Sequence, residues 1–434
     1  MSASETSRAI EAIWRIESAR LIAGLARLMR DVGVAEDLAQ DALVAALAQW
    51  PESGVPDNPG AWLMTAGRNR AIDMLRRRTR LEHRHEQLAR ELQSRGAAAE
   101  QEADLALEDE VGDDLLRLIF TTCHPVLSTE ARVALTLRLL GGLSTAEIAR
   151  AFLVSEPTVA QRIVRAKRTL ADERVPFELP TGEELAARLF SVLEVIYLVF
   201  NEGYAATAGE SWMRPALCEE ALRLGRILAE LAPGEPEVHG LVALMELQAS
   251  RFGARTDASG KPVLLLDQDR SRWDRILVRR GLAALERAER LGGAIGPYAL
   301  QAAIAACHAR APTAEETDWP AIATLYGALA ALAPSPVVEL NRAVAVAMAF
   351  GPAAGLELID AISGEPAMRD YHLLPSVRGD LLAQLGRLGE AHSELTRAAS
   401  LARNARERQL LLERAAACAW APPGGRAGPA RRPS

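Results

Sequence analysis

The sequence predicts an all-α protein, and three observations carry that prediction. Aromatic residues make up only 4% of the 434 positions while apolar residues reach 49%, so few segments have the β-branched and aromatic enrichment of strands. Apolar residues recur at helical rather than alternating spacing through most of the chain. Prolines and glycines fall between those periodic segments, where helices must stop.

The length suits two or more domains. A net charge of −7 excludes a generic polyanion binder, so any role with nucleic acid needs local clusters of base. One such cluster runs from Arg68 to Arg80, with six arginines and one acid. The four cysteines, at 123, 218, 307 and 418, form no CxxC pair. That spacing argues against a disulfide framework or a zinc module and fits a reducing cytoplasm. Residues 1–11 are polar, with no apolar core of a signal peptide. No apolar run approaches the ~20 residues of a membrane span.

Two amphipathic helices are expected over residues 8–49. Ile10, Ile13, Trp14, Ile16, Leu21, Leu25 and Leu28 mark the first, and Asp31-Val-Gly33 breaks it. The second runs from about Ala35 to Gln49 with Leu38, Ala42, Ala45 and Ala46 inward. Its outer face carries Glu36, Asp37, Gln40 and Asp41, which also complement the dipole of a helix N-terminus. Trp50 to Pro59 reads as a loop because three prolines stop helix there. Asn58 then caps a helix with Pro59 in its first turn, running to Arg78. One face holds Leu63, Met64, Gly67, Ala71, Met74 and Leu75. The other holds Trp62, Thr65, Ala66, Asn69, Asp73, Arg76 and Arg77. Cations, amides and an indole in one line fit nucleic acid. They equally fit a solvated surface with a half-buried Trp, and these residues alone leave both open.

Residues 79–112 read as an acidic linker, since Glu100 to Asp114 holds eight acids and no base. Beyond it, Leu115 to Phe120 supply an apolar helix ending near Pro125. Ser128 caps a helix through Leu140, which Gly141-Gly142 closes. Ser144 and Glu147 form a capping box for a short helix to Phe152. Leu153-Val-Ser155 is a tight turn, and Ser155 caps the next helix. There Val159, Ile163, Ala166 and Leu170 lie in a narrow arc. Thr158, Gln161, Arg165 and Arg168 lie opposite, with Arg162 and Lys167 at the flanks. Two short helices, a three-residue turn and a Gln/Arg face make a helix-turn-helix. Its second helix suits a major groove, where Arg and Gln read guanine and adenine. The alternative is a plain helical hairpin on a bundle, although caps, turn length and basic face agree with DNA binding.

Residues 176–420 read as a helical array punctuated by prolines. Gln384 to Ala391 echoes Ala349 to Leu356, and Leu231-Ala-Pro233 recurs as Leu332-Ala-Pro334. Offsets of 35 and 101 residues match one and three periods of about 34, that of tetratricopeptide helix pairs. Such stacks bind peptides or proteins on a concave face. Asn201-Glu-Gly-Tyr204 and the polar run Asp267 to Trp273 fall in breaks, as ligand contacts or as hydrogen-bonded corners. Residues 421–434 lack apolar side chains to pack and are expected to be disordered.

Taken together, the Trp- and Arg-bearing helix, the linker and the helix-turn-helix resemble a bacterial sigma factor of the sigma-70 family. The likeness is to the extracytoplasmic-function type, which keeps only regions 2 and 4. Asp37-Leu-Ala-Gln-Asp41, Ala61-Trp-Leu63, Arg68 to Asp73 and Arg76-Arg77 carry the match to region 2, over 1–78. Residues 113–175 match region 4. The remainder, with FNEGY and SPVVELNRAVAVA, is similar to a tetratricopeptide-like extension found in one subgroup. The resemblance implies that Asp37, Leu38, Gln40 and Asp41 dock core RNA polymerase. It implies that the Trp50–Pro59 loop holds a flipped base of the −10 element. Trp62, Asn69, Arg70, Asp73, Arg76 and Arg77 would contact −10 DNA, and Thr158, Gln161, Arg162, Arg165 and Arg168 the −35 element. It further implies no catalytic residue, cofactor or metal, a cytoplasmic location, and a protein or peptide partner on the extension. The melting part of region 2 departs from the family in having few aromatics beyond Trp62.

Two other classes are weighed against it. A helix-turn-helix regulator with a repeat sensor domain leaves Asp37, Asp41 and Trp62 without a role. An enzyme or metal protein would rest on His83, His85, Cys123 and His124, whose spacing fits no standard zinc pattern.

Overall fold

The computed structural model describes residues 3–90, 110–152, 154–205, 213–257, 261–292 and 296–419. Among these the chain is all helical, and an isolated bridge between Thr256 and Pro262 is the one trace of β-pairing. The expected tail 421–434, most of the acidic linker and Leu153 of the turn lie outside the described residues. The chain divides into two compact units, Met1–Leu198 and Val199–Ser434.

The first unit opens with three helices, α1 (Ala3–Met29), α2 (Val32–Ser53) and α3 (Pro59–Arg90), all packed on one another. The Asp31 break is a cap: its Oδ1 accepts from the N–H groups of Gly33 at 2.7 Å and Val34 at 3.0 Å. Leu21, Leu25, Leu38, Ala42, Ala46, Trp50, Leu63 and Ala71 fill the core. Ile16 does not; it is 66% exposed. Contrary to expectation, α2 continues through Pro51, and Gly54 closes it at φ 83 with an N–H bond to the Trp50 carbonyl. A proline in the last turn sacrifices one hydrogen bond, which burial of Trp50 offsets. Similarly, α3 does not stop at Arg78. Residues 79–90 contain no glycine or proline and are strong helix formers, so the helix propagates.

Four helices follow: α4 (Glu110–Thr122), α5 (Thr129–Leu139), α6 (Thr145–Phe152) and α7 (Glu156–Asp172). The expected caps are all present. Ser128 accepts from Ala131 and Ser155 from Thr158. Ser144 and Glu147 exchange reciprocal bonds at 2.8 and 3.2 Å. Helix α8 (Glu183–Tyr204) spans the division between the units. Its first half belongs with α4 and α5: Arg188 donates to the Phe120 carbonyl at 2.9 Å, Ser191 to that of Cys123 at 2.6 Å, and Arg132 pairs with Glu194 at 3.0 Å. The boundary expected at residue 176 therefore moves into α8.

The second unit contains α9 (Pro215–Leu231), α10 (Pro236–Ala249), α11 (Arg275–Leu291), α12 (Pro297–Arg310) and α13 (Trp319–Leu332). Then come α14 (Pro336–Phe350), α15 (Pro352–Ile362), α16 (Leu373–Gln384), α17 (Leu388–Leu401) and α18 (Ala405–Ala419). Each packs mainly on its neighbours in sequence. The prolines open helices as first-turn residues in α9, α10, α12, α13, α14 and α15. Both sequence echoes are structural. Ala232 and Ala333 end α9 and α13 with matching dihedrals, φ/ψ −128/61° and −133/75°. Gly351 and Gly386, at φ 104 and 76, make the α14–α15 and α16–α17 turns. Two of the later pairs, α14–α15 and α16–α17, cross on a glycine: a Cβ at Gly355 would sit 2.5 Å from that of Ala347, and one at Gly379 2.8 Å from Leu395 Cγ.

Candidate nucleic-acid interface

Helix α7 separates two faces cleanly. Val159, Ile163, Ala166 and Leu170 are buried against α5 and α6. Gln161, Arg165 and Arg168 are exposed, while Thr158 and Arg162 are half-buried. The Thr158 hydroxyl lies 2.7 Å from that of Ser155, so it braces the helix start as well as facing outward. Arg168 pairs loosely with Asp172 at 3.4 Å, with both side chains largely in water, a contact that a phosphate can replace at little cost. One residue on this face was missed in sequence: Val164 is 64% exposed. Its neighbours at 161, 165 and 168 supplied the signal, but an apolar residue there reads as a flank of the core stripe.

Helix α3 presents the second cationic face. Asn69, Asp73, Arg76 and Arg77 are exposed. Arg70 is half-buried, with Nη1 lacking a hydrogen-bond partner among the described residues. Trp62 has the half-buried position that the solvated-surface reading of this face gave it. It meets buried Trp50 edge-on, 5.2 Å between ring centroids at 68°. The loop 54–58 lies between these two tryptophans in sequence, and the Asn58 side chain caps α3 through the Ala61 N–H at 3.0 Å. Met74, expected inward, is 42% exposed.

On α2, Asp37 and Asp41 are exposed and Gln40 is half-buried. Val44 and Leu47 extend this stripe, 61% and 47% exposed. Leu38 belongs to the core, at 2% exposed, so it supports the stripe from beneath and cannot touch a partner. Glu36 also departs from expectation. It is 3% exposed, and its Oε1 accepts from Gln40 Nε2 and from Arg138 Nε of α5, each at 2.7 Å. Lys167 of α7 pairs with Oε2. Burial by itself pushes this carboxyl up, and the two cations outweigh it, holding the group below the ordinary carboxylate range.

Of the two polar motifs expected in breaks, Asn201–Tyr204 is the last turn of α8, and Asp267–Trp273 is a hydrogen-bonded corner. Arg270 donates to the carbonyls of His308 and Ala311 at 2.9 and 2.7 Å and to Thr317 at 2.8 Å. Gln268 bridges Arg251 and the Val263 carbonyl. Arg255 stacks over Tyr204 at 3.6 Å and donates to its carbonyl. These polar atoms are spent within the fold. Among the described residues no group of three possible metal ligands occurs. Cys123 is buried beside Thr136, at 3.4 Å, and His124 Nδ1 accepts from the Val126 N–H. The side chains of His83 and His85 lie outside the described residues. Among the described residues no helix is long and apolar enough to cross a membrane.

Comparison with known proteins matches family models to the segments that carry both faces. Residues 16–81 match the family described as Sigma-70 region 2, and residues 117–170 match Sigma-70, region 4. Residues 188–289 match a family of unknown function, DUF6596. An uncharacterized protein of Rhizobium meliloti (strain 1021) is 47% identical over 384 residues, covering 88% of this chain and 89% of the relative.

Proposed function

Because the chain belongs to the sigma-70 family and is a sigma factor that directs promoter recognition, we propose that it is of the extracytoplasmic-function type and acts as a subunit of RNA polymerase in the cytoplasm. In this reading Gln161, Arg165 and Arg168 read or grip the −35 element, with Thr158 and Arg162 at the margin. Asn69, Arg70, Asp73, Arg76 and Arg77 hold −10 DNA, and Trp62, seated on Trp50, walls the site of a flipped base. Asp37, Gln40 and Asp41 dock a basic surface of core polymerase, with Val44 and Leu47 supplying apolar contact.

The observation that carries the reading is the division of α7. Every residue of its apolar arc is buried, while Gln161, Arg165 and Arg168 stay in water. Water solvates such a face in a plain bundle, and a major groove pairs with its Gln and Arg side chains. The second unit is proposed to be a tetratricopeptide-like module that regulates the sigma core or binds a protein or peptide. Its recurring turns and glycine crossings support that reading.

Run-off transcription with core polymerase, with and without this protein, on a pool of upstream sequences tests the function. Starts that require the protein support it and yield the −35 and −10 elements together. No starts, with tight duplex binding in the absence of polymerase, would replace it by a helix-turn-helix regulator. Removing the second unit after α8, residues 205–434, is expected to change promoter output. Unchanged output would remove the regulatory role of the second unit.

A further inference from the structure

The corner that leads into α11 gathers cations that its neighbours do not neutralise. Arg272 is in the turn before the helix, Arg275 opens the helix, and Arg279 stands one turn further on; all three are exposed. Among the described residues no carboxylate comes within ion-pair distance of any of them, whereas the next arginine, Arg280, meets Glu246 at 3.1 Å. Of the acids close in sequence, Asp269 and Asp274 are turned onto backbone N–H groups, of Ser271 and of Ile276 and Leu277.

Local helix physics argues against this placement. Cations in a first turn oppose the macrodipole, and like charges at i and i+4, as Arg275 and Arg279 are, destabilise a helix. Elsewhere in the unit arginines are matched within a few residues: Arg223 with Glu220, Arg342 with Glu339 and Arg387 with Glu390. The corner is short of acceptors as well as of negative charge. Arg251 and Arg270 lie against the Trp273 ring, at 5.6 and 5.2 Å from its centre, and bond only to neutral oxygens. Arg270 Nε and Trp273 Nε1 are buried with no hydrogen-bond partner among the described residues, in residues 6% and 4% exposed.

A partner that is anionic and only accepts hydrogen bonds answers both deficits, and a phosphate is such a group. The chain already handles duplex DNA, since it directs promoter recognition. The three outer arginines can take up phosphates with no ion pair to break, and contacts of that kind hold a duplex without reading it.

We propose that Arg272, Arg275 and Arg279 form a further duplex contact, through which the second unit grips the phosphate backbone of DNA without sequence preference. The grip adds to affinity whatever the −35 and −10 elements are. It does not depend on the polymerase reading, and its test needs no polymerase.

The full chain is titrated onto a random-sequence duplex over a salt series, and the slope of log affinity against log salt is read. The triple variant Arg272→Gln, Arg275→Gln, Arg279→Gln is expected to give a slope shallower by about 2–3, since each phosphate contact contributes about 0.9. Lysine at the same three positions keeps the charge and is expected to keep the slope. A charge-matched control at exposed arginines elsewhere in the unit, Arg369→Gln, Arg403→Gln, Arg406→Gln, is expected to leave it unchanged. The urea midpoint of the first variant is expected not to fall, because the change relieves repulsion. Should that variant unfold, Arg279→Gln alone decides, by a slope loss of about 0.9. Equal slopes for the two glutamine triples overturn the contact, as does a full chain that fails to bind the duplex at all. An unchanged slope with promoter output lost in the first variant gives the face to an acidic protein, and overturns the DNA contact as well.

Discussion

Two neighbouring positions on α7 separate folding from reading. Ile163 is 5% exposed, on the face packed against α5 and α6. Truncating it to Ala removes most of a buried side chain and leaves a cavity, at a cost of about 2–4 kcal/mol in stability. Arg165 is exposed on the opposite face. Arg165→Ala removes no core contact, so its effect on stability stays within about 0.5 kcal/mol. If Arg165 reads a base, the same change weakens promoter binding by roughly 1–3 kcal/mol, about 5- to 150-fold. The assay pairs urea denaturation of each variant with holoenzyme binding to promoter fragments substituted at every −35 position. The expected pattern is crossed. Ile163→Ala lowers the denaturation midpoint, whereas Arg165→Ala keeps the midpoint and loses preference at one base pair. Unchanged promoter affinity and preference in Arg165→Ala would refute the assignment of this face to DNA. A loss of stability in Arg165→Ala matching that of Ile163→Ala would refute the division of the helix.

Val164 offers a sharper reading of the same helix. Deoxyuridine in place of each thymine in the −35 element removes one methyl group, and a loss of about fourfold is expected at one position; that loss should disappear in Val164→Ala, and its persistence would exclude the contact. In the second unit, Glu237 of α10 accepts the N–H groups of Tyr298 at 2.8 Å and Ala299 at 3.1 Å, capping α12 from another helix. Glu237→Ala strands both donors and is expected to cost about 2–3 kcal/mol, while Glu237→Gln keeps an acceptor and costs less; equal losses in a denaturant titration would contradict the cap. His308 is 8% exposed, and burial together with nearby Arg251 and Arg270 lowers its pKa from 6.5 to about 4. The unfolded chain binds the proton first, so this stability is complete above pH 6.5 and is lost as pH falls toward 4, by about 3 kcal/mol in all. Urea midpoints measured from pH 7.5 to 4.5 should show that slope in the natural chain and a shallower one in His308→Gln.

The local features of the fold were legible because their causes are local. Ser128, Ser144 with Glu147, and Ser155 cap helices a few residues away, and each cap is where the sequence puts it. The arc Val159–Ile163–Ala166–Leu170 follows from helical geometry alone, and so does the opposing Gln/Arg face. The turn echoes at 349 and 384 and at 231 and 332 were visible because equal turns need equal residues.

Tertiary structure decided the rest. On α2 the helical pattern puts Leu38 inward and Glu36 on the outer face with Asp37, Gln40 and Asp41, while the resemblance gives Leu38 a docking role. Which of them meets water depends on what packs there. Leu38 turns into the three-helix core, and Glu36 is closed off by an arginine 102 residues away. The Glu237 cap joins backbone donors 61 and 62 residues distant, and Trp62 is drawn inward by Trp50. Periodicity states which residues share a face. It carries no information about which distant segment arrives to cover that face, because burial is a property of the assembled chain.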